Sequence, residues 1–318
     1  MKIKLIITVF LWLALISCGK KNNSPVTPPA PVTKPLIGFN QNWSFLPAFY
    51  PGMLSNINLL KPQLLRYPGG TITYEWDWVT GKKIGSNGAP HLVGDIKALT
   101  DATGAKWVFV VNILNRTIAD QINMLNAIKN TGVAVEYIEL GNELYSSDAE
   151  YVSVFPTGTD YANKCVQWIP QLRAAFPSAK ISAVLQCRNA ESSNQRFRDW
   201  NNLVVSGTSS VVDAYTYHIY IPVNGSYAAR KAEFEQVVAA TNTGSKPLWV
   251  TEYGNQNDLT DPKYYTSLDS LANYIESYPK ITMAMNHLVV GNNKNKLSSD
   301  GSTFTPEGQM FLTRANKR

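Results

Sequence analysis

From residue 36 onward the chain repeats one unit, a short and nearly continuous apolar run followed by a longer amphipathic or loop-like stretch. The runs cover residues 36–40, 64–67, 107–113, 137–141, 181–187, 214–220, 248–253 and 281–290. A run without polar alternation is what a strand shows when both of its faces are buried, as in a parallel sheet. Helical patterns lie between the runs. One covers 118–129 and stops at Gly132; another covers 161–176 and stops at Pro177, with Pro170 expected to kink it. Eight strands separated by helices predict a single α/β domain, a closed (β/α)8 barrel over residues 36–318. An open doubly wound sheet is the structural alternative, but no Gly-rich phosphate loop follows the first run.

Such a barrel carries its functional groups at the C-terminal ends of the strands, on loops that open toward one face. Polar residues gather there: Asn40 and Asn42, Arg66, Asn112, Asn142 with Glu143, His218, Glu252, and Asn286 with His287. The run interiors are almost free of charge. Glu139 is the main exception and reads as buried and structural. The fourth run ends in Gly141-Asn142-Glu143 and the seventh in Thr251-Glu252-Tyr253-Gly254. These strands are three steps apart, so their ends face each other across the mouth. Cleavage of a glycosidic bond with retention needs two carboxyl groups ~5–5.5 Å apart, one ionised and one protonated. Mutual proximity and burial separate the two pKa values.

These motifs, in this order, resemble clan A of the retaining glycosidases, (β/α)8 or TIM barrels with Asn-Glu after strand four and Glu after strand seven. The resemblance spans the whole body. It implies that Glu143 is the acid/base and Glu252 the nucleophile. Leu65-Arg66-Tyr67-Pro68-Gly69-Gly70 is similar to the strand-two motif of the arabinofuranosidase and heparanase-like families, and Tyr217-His218-Ile219-Tyr220 to their strand-six His-x-Tyr. The resemblance then implies that Arg66 hydrogen-bonds the nucleophile and Asn142 binds the sugar 2-hydroxyl. Tyr220 would touch Glu252, and His218 the substrate or the acid. On the residues alone, Arg66 could instead pair with Glu139 inside the barrel, and His218 could be a satisfied strand-end histidine. Two departures stand out. Strand eight ends in Met285-Asn286-His287-Leu288, where many clan members carry a tryptophan. The β-sandwich domain usual in those families is not expected, since one short helix, about 306–313, follows strand eight.

The strand-to-helix loops are rich in aromatics: Trp43 and Phe45, then Tyr74, Trp76 and Trp78, then Tyr145, Tyr151 and Phe155. Sugar rings pack their C–H faces on such rings. Residues 71–78 alternate polar and aromatic side chains as a hairpin would, which offers Trp76 as a substrate platform. Rings that cover the loop's own core are the other reading. Several aromatic loops fit a poly- or oligosaccharide better than a small aryl glycoside. A non-catalytic surface glycan-binding protein on the same barrel is the competing function. The presence of both glutamates with Asn142 and Arg66 favours the enzyme.

Ahead of the barrel, Lys2 and Lys4 precede an apolar run of about a dozen residues, the length of a signal-peptide core and too short to span a bilayer. Its end, Leu15-Ile16-Ser17-Cys18, resembles the lipobox of bacterial lipoproteins. That implies a signal peptide over 1–17 and lipidation of Cys18. Residues 18–35, polar and proline-rich, would be a spacer between membrane and barrel. An exported, membrane-anchored monomer is expected. The net charge of +6 does not indicate nucleic acid, because five of the lysines precede residue 36 and no acidic residue does. Cys165 and Cys187 remain in the body as either a disulfide or two buried thiols. No metal or organic cofactor is implied, as His91, His218 and His287 form no ligand motif.

Overall fold

The computed structural model describes residues 34–188, 193–291 and 294–318; the signal segment, Cys18 and nearly all of the spacer lie outside the described residues. In chain order the strands are β1 (Leu36–Asn40), β2 (Leu64–Tyr67), β3 (Trp76–Asp77), β4 (Lys82–Lys83), β5 (Lys106–Val111), β6 (Tyr137–Leu140), β7 (Lys180–Val184), β8 (Ala214–Ile221), β9 (Leu248–Asn255) and β10 (Ile281–His287). β3 and β4 form a separate antiparallel ribbon. The other eight are all parallel, and β1 pairs with both β2 and β10, which closes the barrel. The helices are α1 (Pro51–Leu59), α2 (Val93–Thr103), α3 (Ile118–Asn130), α4 (Ala149–Val154), α5 (Gly158–Ala175), α6 (Gln195–Thr208), α7 (Tyr227–Ala240), α8 (Tyr264–Ser277) and α9 (Pro306–Asn316).

Local chemistry sets the helix starts. Thr117, Thr157, Asn194, Ser226 and Thr305 each accept the third backbone N–H of the helix that follows, satisfying a donor the helix itself cannot. At Thr157 the bond is reciprocated by Asp160, a complete capping box. α5 runs on through Pro170 to Ala175.

Strand alternation divides the core in two. In β2, Leu65 and Tyr67 pack outward against the helices, while Leu64 faces the barrel interior. With Val108, Ala214, Trp249, Met283 and Met285 it forms an apolar floor. Arg66 shares the parity of Leu64 one step nearer the mouth, and with Glu139, Thr251, Thr216 and Ser182 it belongs to a fully buried polar group. That group lies beneath the strand ends.

Two irregularities bring consecutive residues to the mouth. Tyr217 pairs with Val250 but His218 pairs with Glu252, and Ala284 pairs with Val250 but Asn286 with Tyr253. β9 therefore holds one extra residue against both neighbours, a bulge that turns Thr251 and Glu252 inward together. After β6, Gly141 takes φ 87° and Glu143 φ 45°. The left-handed region is open to glycine and costly for glutamate, so the surroundings must hold Glu143 in that turn.

Candidate active site

Arg66 organises the site. Its Nε and Nη2 donate to Glu139 at 3.0 and 2.8 Å, Nη1 to Asn40 at 3.2 Å and Glu252 at 2.5 Å, and Nη2 also to Asn142 at 2.9 Å. All five guanidinium protons are used. The two roles weighed for Arg66 are thus filled at once: it pairs with Glu139 inside the barrel and with Glu252 at the mouth. The absence of a side chain at position 70 permits this approach, since a Cβ there would lie 2.7 Å from Glu252 Oε1.

The arginine also fixes two amides. It can only donate, so Asn142 must turn Oδ1 toward it and keep the amide Nδ2 for another partner. Asn40 likewise offers Oδ1 to Arg66, which leaves its Nδ2 to face His287 Nδ1 at 2.7 Å. His287 Nδ1 is therefore an acceptor, and its proton sits on Nε2. Burial, assisted by the charges of Lys296, Arg66 and His218, lowers the His287 pKa to about 4 against the pull of Glu252, so the ring is neutral. The His287–Leu288 peptide is cis, and Lys296 donates to both carbonyls at 3.2 Å. Lys296 is itself paired with Glu307 of α9 at 2.6 Å, both buried, which ties the last helix to the end of β10.

Glu252 is 8 % exposed at its side chain and Glu143 35 %. Glu252 Oε2 accepts from Tyr220 Oη at 2.7 Å. Burial alone would raise its pKa, but His218 and Arg66 outweigh burial and hold it well below the usual carboxylate range. Glu143 Oε1 accepts from Tyr145 Oη at 3.1 Å and lies 2.9 Å from His218 Nδ1. That same nitrogen is 3.9 Å from Glu252 Oε2. Burial opposes a charge on His218, yet Glu252, Glu139 and Glu143 together push its pKa up to about 9.

The β6 end is held in place by groups of several elements. Tyr74 Oη donates to the Asn142 carbonyl at 2.6 Å and accepts from the Asn142 N–H at 2.5 Å. Arg196 donates to the carbonyls of Leu144, Tyr145, Ser146 and Phe155, at 2.5 to 3.1 Å, and lies over the Trp200 ring. A cavity of about 1050 Å³ opens over the site, lined by Glu143, Tyr145, His218, Tyr220 and Glu252 and extending past Arg188, Phe197, Arg230 and Glu233.

Of the residues selected from the sequence, Arg66, Asn142, Glu143, His218, Tyr220 and Glu252 converge here. Trp76 does not. Residues 71–74 form a 3-10 turn and only Trp76–Asp77 enters the ribbon, where the indole is buried and donates to Tyr67 Oη at 2.7 Å. It has no open face for a sugar, which corrects its assignment as a platform. Trp43, Tyr151 and Phe155 are buried too, and Asn42 caps the turn at Trp43–Phe45. The aromatic loops mostly build their own core. Trp78 donates to Asp120 at 3.1 Å; among the described residues Tyr145 is the ring of the set that hydrogen-bonds Glu143, and its position two residues after Glu143 is the available signal. Nothing in the sequence marks Arg196. Cys165 and Cys187 are free and buried, with burial pushing their thiols up to about 12 and 11. Among the described residues no group of three or more His, Cys, Asp or Glu is placed to hold a metal ion.

A parallel eight-stranded barrel with carboxylates at the ends of β6 and β9, three strands apart, has the build of a barrel glycosidase. Residues 156–311 match the family model of the glycosyl hydrolase catalytic core. The barrel is similar to the α-L-arabinofuranosidase of Thermotoga maritima, at 16% identity and TM-score 0.68, covering 90% of this chain and 71% of that one. It is similar to a family 51 α-L-arabinofuranosidase from Bifidobacterium longum, at 13% identity and TM-score 0.69, covering 89% and 72%. An endo-β-1,3-glucanase from Sorangium cellulosum also matches, at 14% identity and TM-score 0.60, covering 88% and 98%. No curated protein matches the chain by sequence.

Proposed function

We propose that the chain is a retaining glycoside hydrolase that cleaves O-glycosidic bonds of a poly- or oligosaccharide by double displacement. One observation carries the reading: a single nitrogen, His218 Nδ1, lies 2.9 Å from Glu143 and 3.9 Å from Glu252. The two oxygens can be no farther apart than the sum of these distances. That bound falls at the lower edge of the ~6.5–9.5 Å used by inverting enzymes, which supports the shorter separation of a retaining pair.

In the first step Glu252 attacks the anomeric carbon while Glu143 gives its proton to the departing oxygen. In the second, water attacks, its proton returns to Glu143, and the Glu252 ester breaks. Arg66 and Tyr220 keep Glu252 ionised for attack, and Asn142 offers Nδ2 to the sugar 2-hydroxyl. The partly open Glu143 meets leaving group and water. NMR of the first-formed product tests the reading; retained configuration is expected, and an inverted product ends it.

We further infer that the protein is exported and anchored to a membrane through lipidated Cys18, with residues 18–35 as spacer. The lipobox-like segment supports this. Cell fractionation of Cys18→Ala is the test: the variant should leave the membrane pellet, and equal retention of variant and parent overturns the anchor.

A further inference from the structure

The cavity over the glutamates has a wall that the hydrolysis described above does not use. It is made by Arg188, after β7, and by Arg230 with Glu233 on α7. We propose that this wall is an anion subsite that accepts a negatively charged sugar, through a uronate carboxylate or a sulfate ester, near the bond that is cut. The proposal rests on the glycosidase reading and deepens it by naming the class of substrate.

Arg230 is 6% exposed, and among the described residues its one acceptor is Glu233 Oε2, at 2.5 Å. Its buried Nε has no hydrogen-bond partner among the described residues. A guanidinium carries five donors, and burying them without acceptors is costly. Arg66 shows how this barrel satisfies an arginine whose role is structural and electrostatic, with every proton engaged. Arg230 is short of acceptors, yet it forms part of a cavity wall. An oxyanion in that cavity supplies what is missing, in the planar geometry arginine prefers.

Arg188 brings a second cation to the same cavity. Its guanidinium lies 5.9 Å from the centre of the Phe197 ring, and it pairs with no carboxylate among the described residues. Stacking on an aromatic face orients the group while leaving its N–H edge available. Among the described residues, two arginines against the carboxylate of Glu233 leave this wall positive, beside a floor where Glu139, Glu143 and Glu252 outnumber Arg66 and His218. A neutral glycan has no use for that separation of charge. The wall also marks a route, because an adjoining cavity of about 590 Å³ shares Pro222, Arg230 and Glu233 with the main one. A sugar chain leaving the glutamates in that direction crosses the arginine.

The test is calorimetry on the purified protein with paired probes: tetragalacturonate, a xylooligosaccharide bearing glucuronate, and a sulfated galactan oligosaccharide, each against its carboxyl-reduced or desulfated form. At least one charged probe should bind about tenfold more tightly than its neutral partner. Whichever arm shows the preference distinguishes carboxylate from sulfate. The preference should disappear in Arg188→Gln/Arg230→Gln and partly return in Arg188→Gln/Arg230→Lys, with affinity for the neutral forms unchanged. If Arg230→Gln unfolds, Arg188→Gln alone should still reduce the preference. Equal binding of charged and neutral forms, no binding of any charged probe, or a preference that survives both substitutions overturns the subsite. Hydrolysis of the same probes is scored separately. Arginine-dependent binding without hydrolysis defeats the glycosidase reading and leaves the subsite standing.

Discussion

Nδ1 of His218 lies 2.9 Å from Oε1 of Glu143, and that contact needs one proton between the two atoms. The far side of the ring settles where the other proton is. Thr251 Oγ1 donates to Glu139 at 3.3 Å, so it accepts from His218 Nε2 at 3.1 Å. The shared proton then lies between His218 Nδ1 and Glu143 Oε1. In the proposed mechanism this is the proton that Glu143 delivers to the leaving group.

The same pair gives a pH dependence of stability. His218 is raised from 6.5 to about 9 in the folded chain, after the carboxylates around it have overcome burial. A raised histidine contributes stability that is complete below its unfolded value and lost as pH rises through the folded one. The parent should therefore exceed His218→Gln in Tm most below pH ~6.5, and the gap should close as pH passes about 9. Thermal scans of both proteins across that range check it. A gap that widens toward alkaline pH would mean that His218 is neutral at pH 7.

Arg66 makes a different prediction, because four side chains depend on it. Replacement by methionine leaves the buried Glu139 and Glu252 with His218 as their one remaining cationic neighbour among the described residues, at a cost of about 3–5 kcal/mol. Lysine keeps a charge but cannot serve four partners at once, so Arg66→Lys should fold better than Arg66→Met and still turn over slowly. Glu252 should also become easier to protonate. Its lowered pKa contributes stability above the unfolded value that is lost as pH falls through the folded one. In Arg66→Lys the acid limb of both urea stability and kcat/KM should move to higher pH. A methionine variant as stable as the parent would remove Arg66 from the centre of the site.

Tyr145 meets Glu143 by one hydrogen bond and keeps its ring in place by edge-on packing on Phe197 at 5.7 Å and Trp200 at 6.5 Å. Tyr145→Phe removes the first and keeps the second. Stability should stay within about 1 kcal/mol, while kcat on a natural glycan falls about tenfold. An unchanged kcat would show that the hydroxyl does not set the behaviour of Glu143.

How much of this could be read in advance follows from which signals are local. The eight apolar runs map onto the eight barrel strands because burial on both faces leaves a mark in each strand separately. Glu143, Glu252, Arg66 and the His218–Tyr220 pair were legible because strand order and strand ends decide where they meet. The bulge in β9 was not legible, since Thr251 and Glu252 look like ordinary neighbours until β8 and β10 are set beside them. Nor was the fate of the aromatic loops. A tryptophan such as Trp76 has the same composition value whether it faces a sugar or Tyr67, and only the three-dimensional path of residues 71–83 decides it. Arg196, which reaches the β6 loop from α6, is a contact across roughly fifty residues with no periodic trace.

The last prediction separates the two glutamates. As nucleophile, Glu252 forms the bond that both half-reactions need, so Glu252→Ala should abolish turnover on every substrate. Glu143 matters to the first step only as far as the leaving group requires a proton. Glu143→Ala should lose most activity on natural glycans but retain glycosylation by a substrate with an activated phenolate. Its second step would lack a base, so the glycosyl-enzyme should accumulate, giving a burst and a slow steady state. Azide needs no general base. It should restore turnover of Glu143→Ala and yield a glycosyl azide of retained configuration, because it enters from the face the leaving group vacated while Glu252 still holds the other. Any rescue of Glu252→Ala should give the inverted azide, by direct attack from the emptied side. NMR distinguishes the two anomers. The inverted azide from Glu143→Ala, with the retained one from Glu252→Ala, would exchange the two roles.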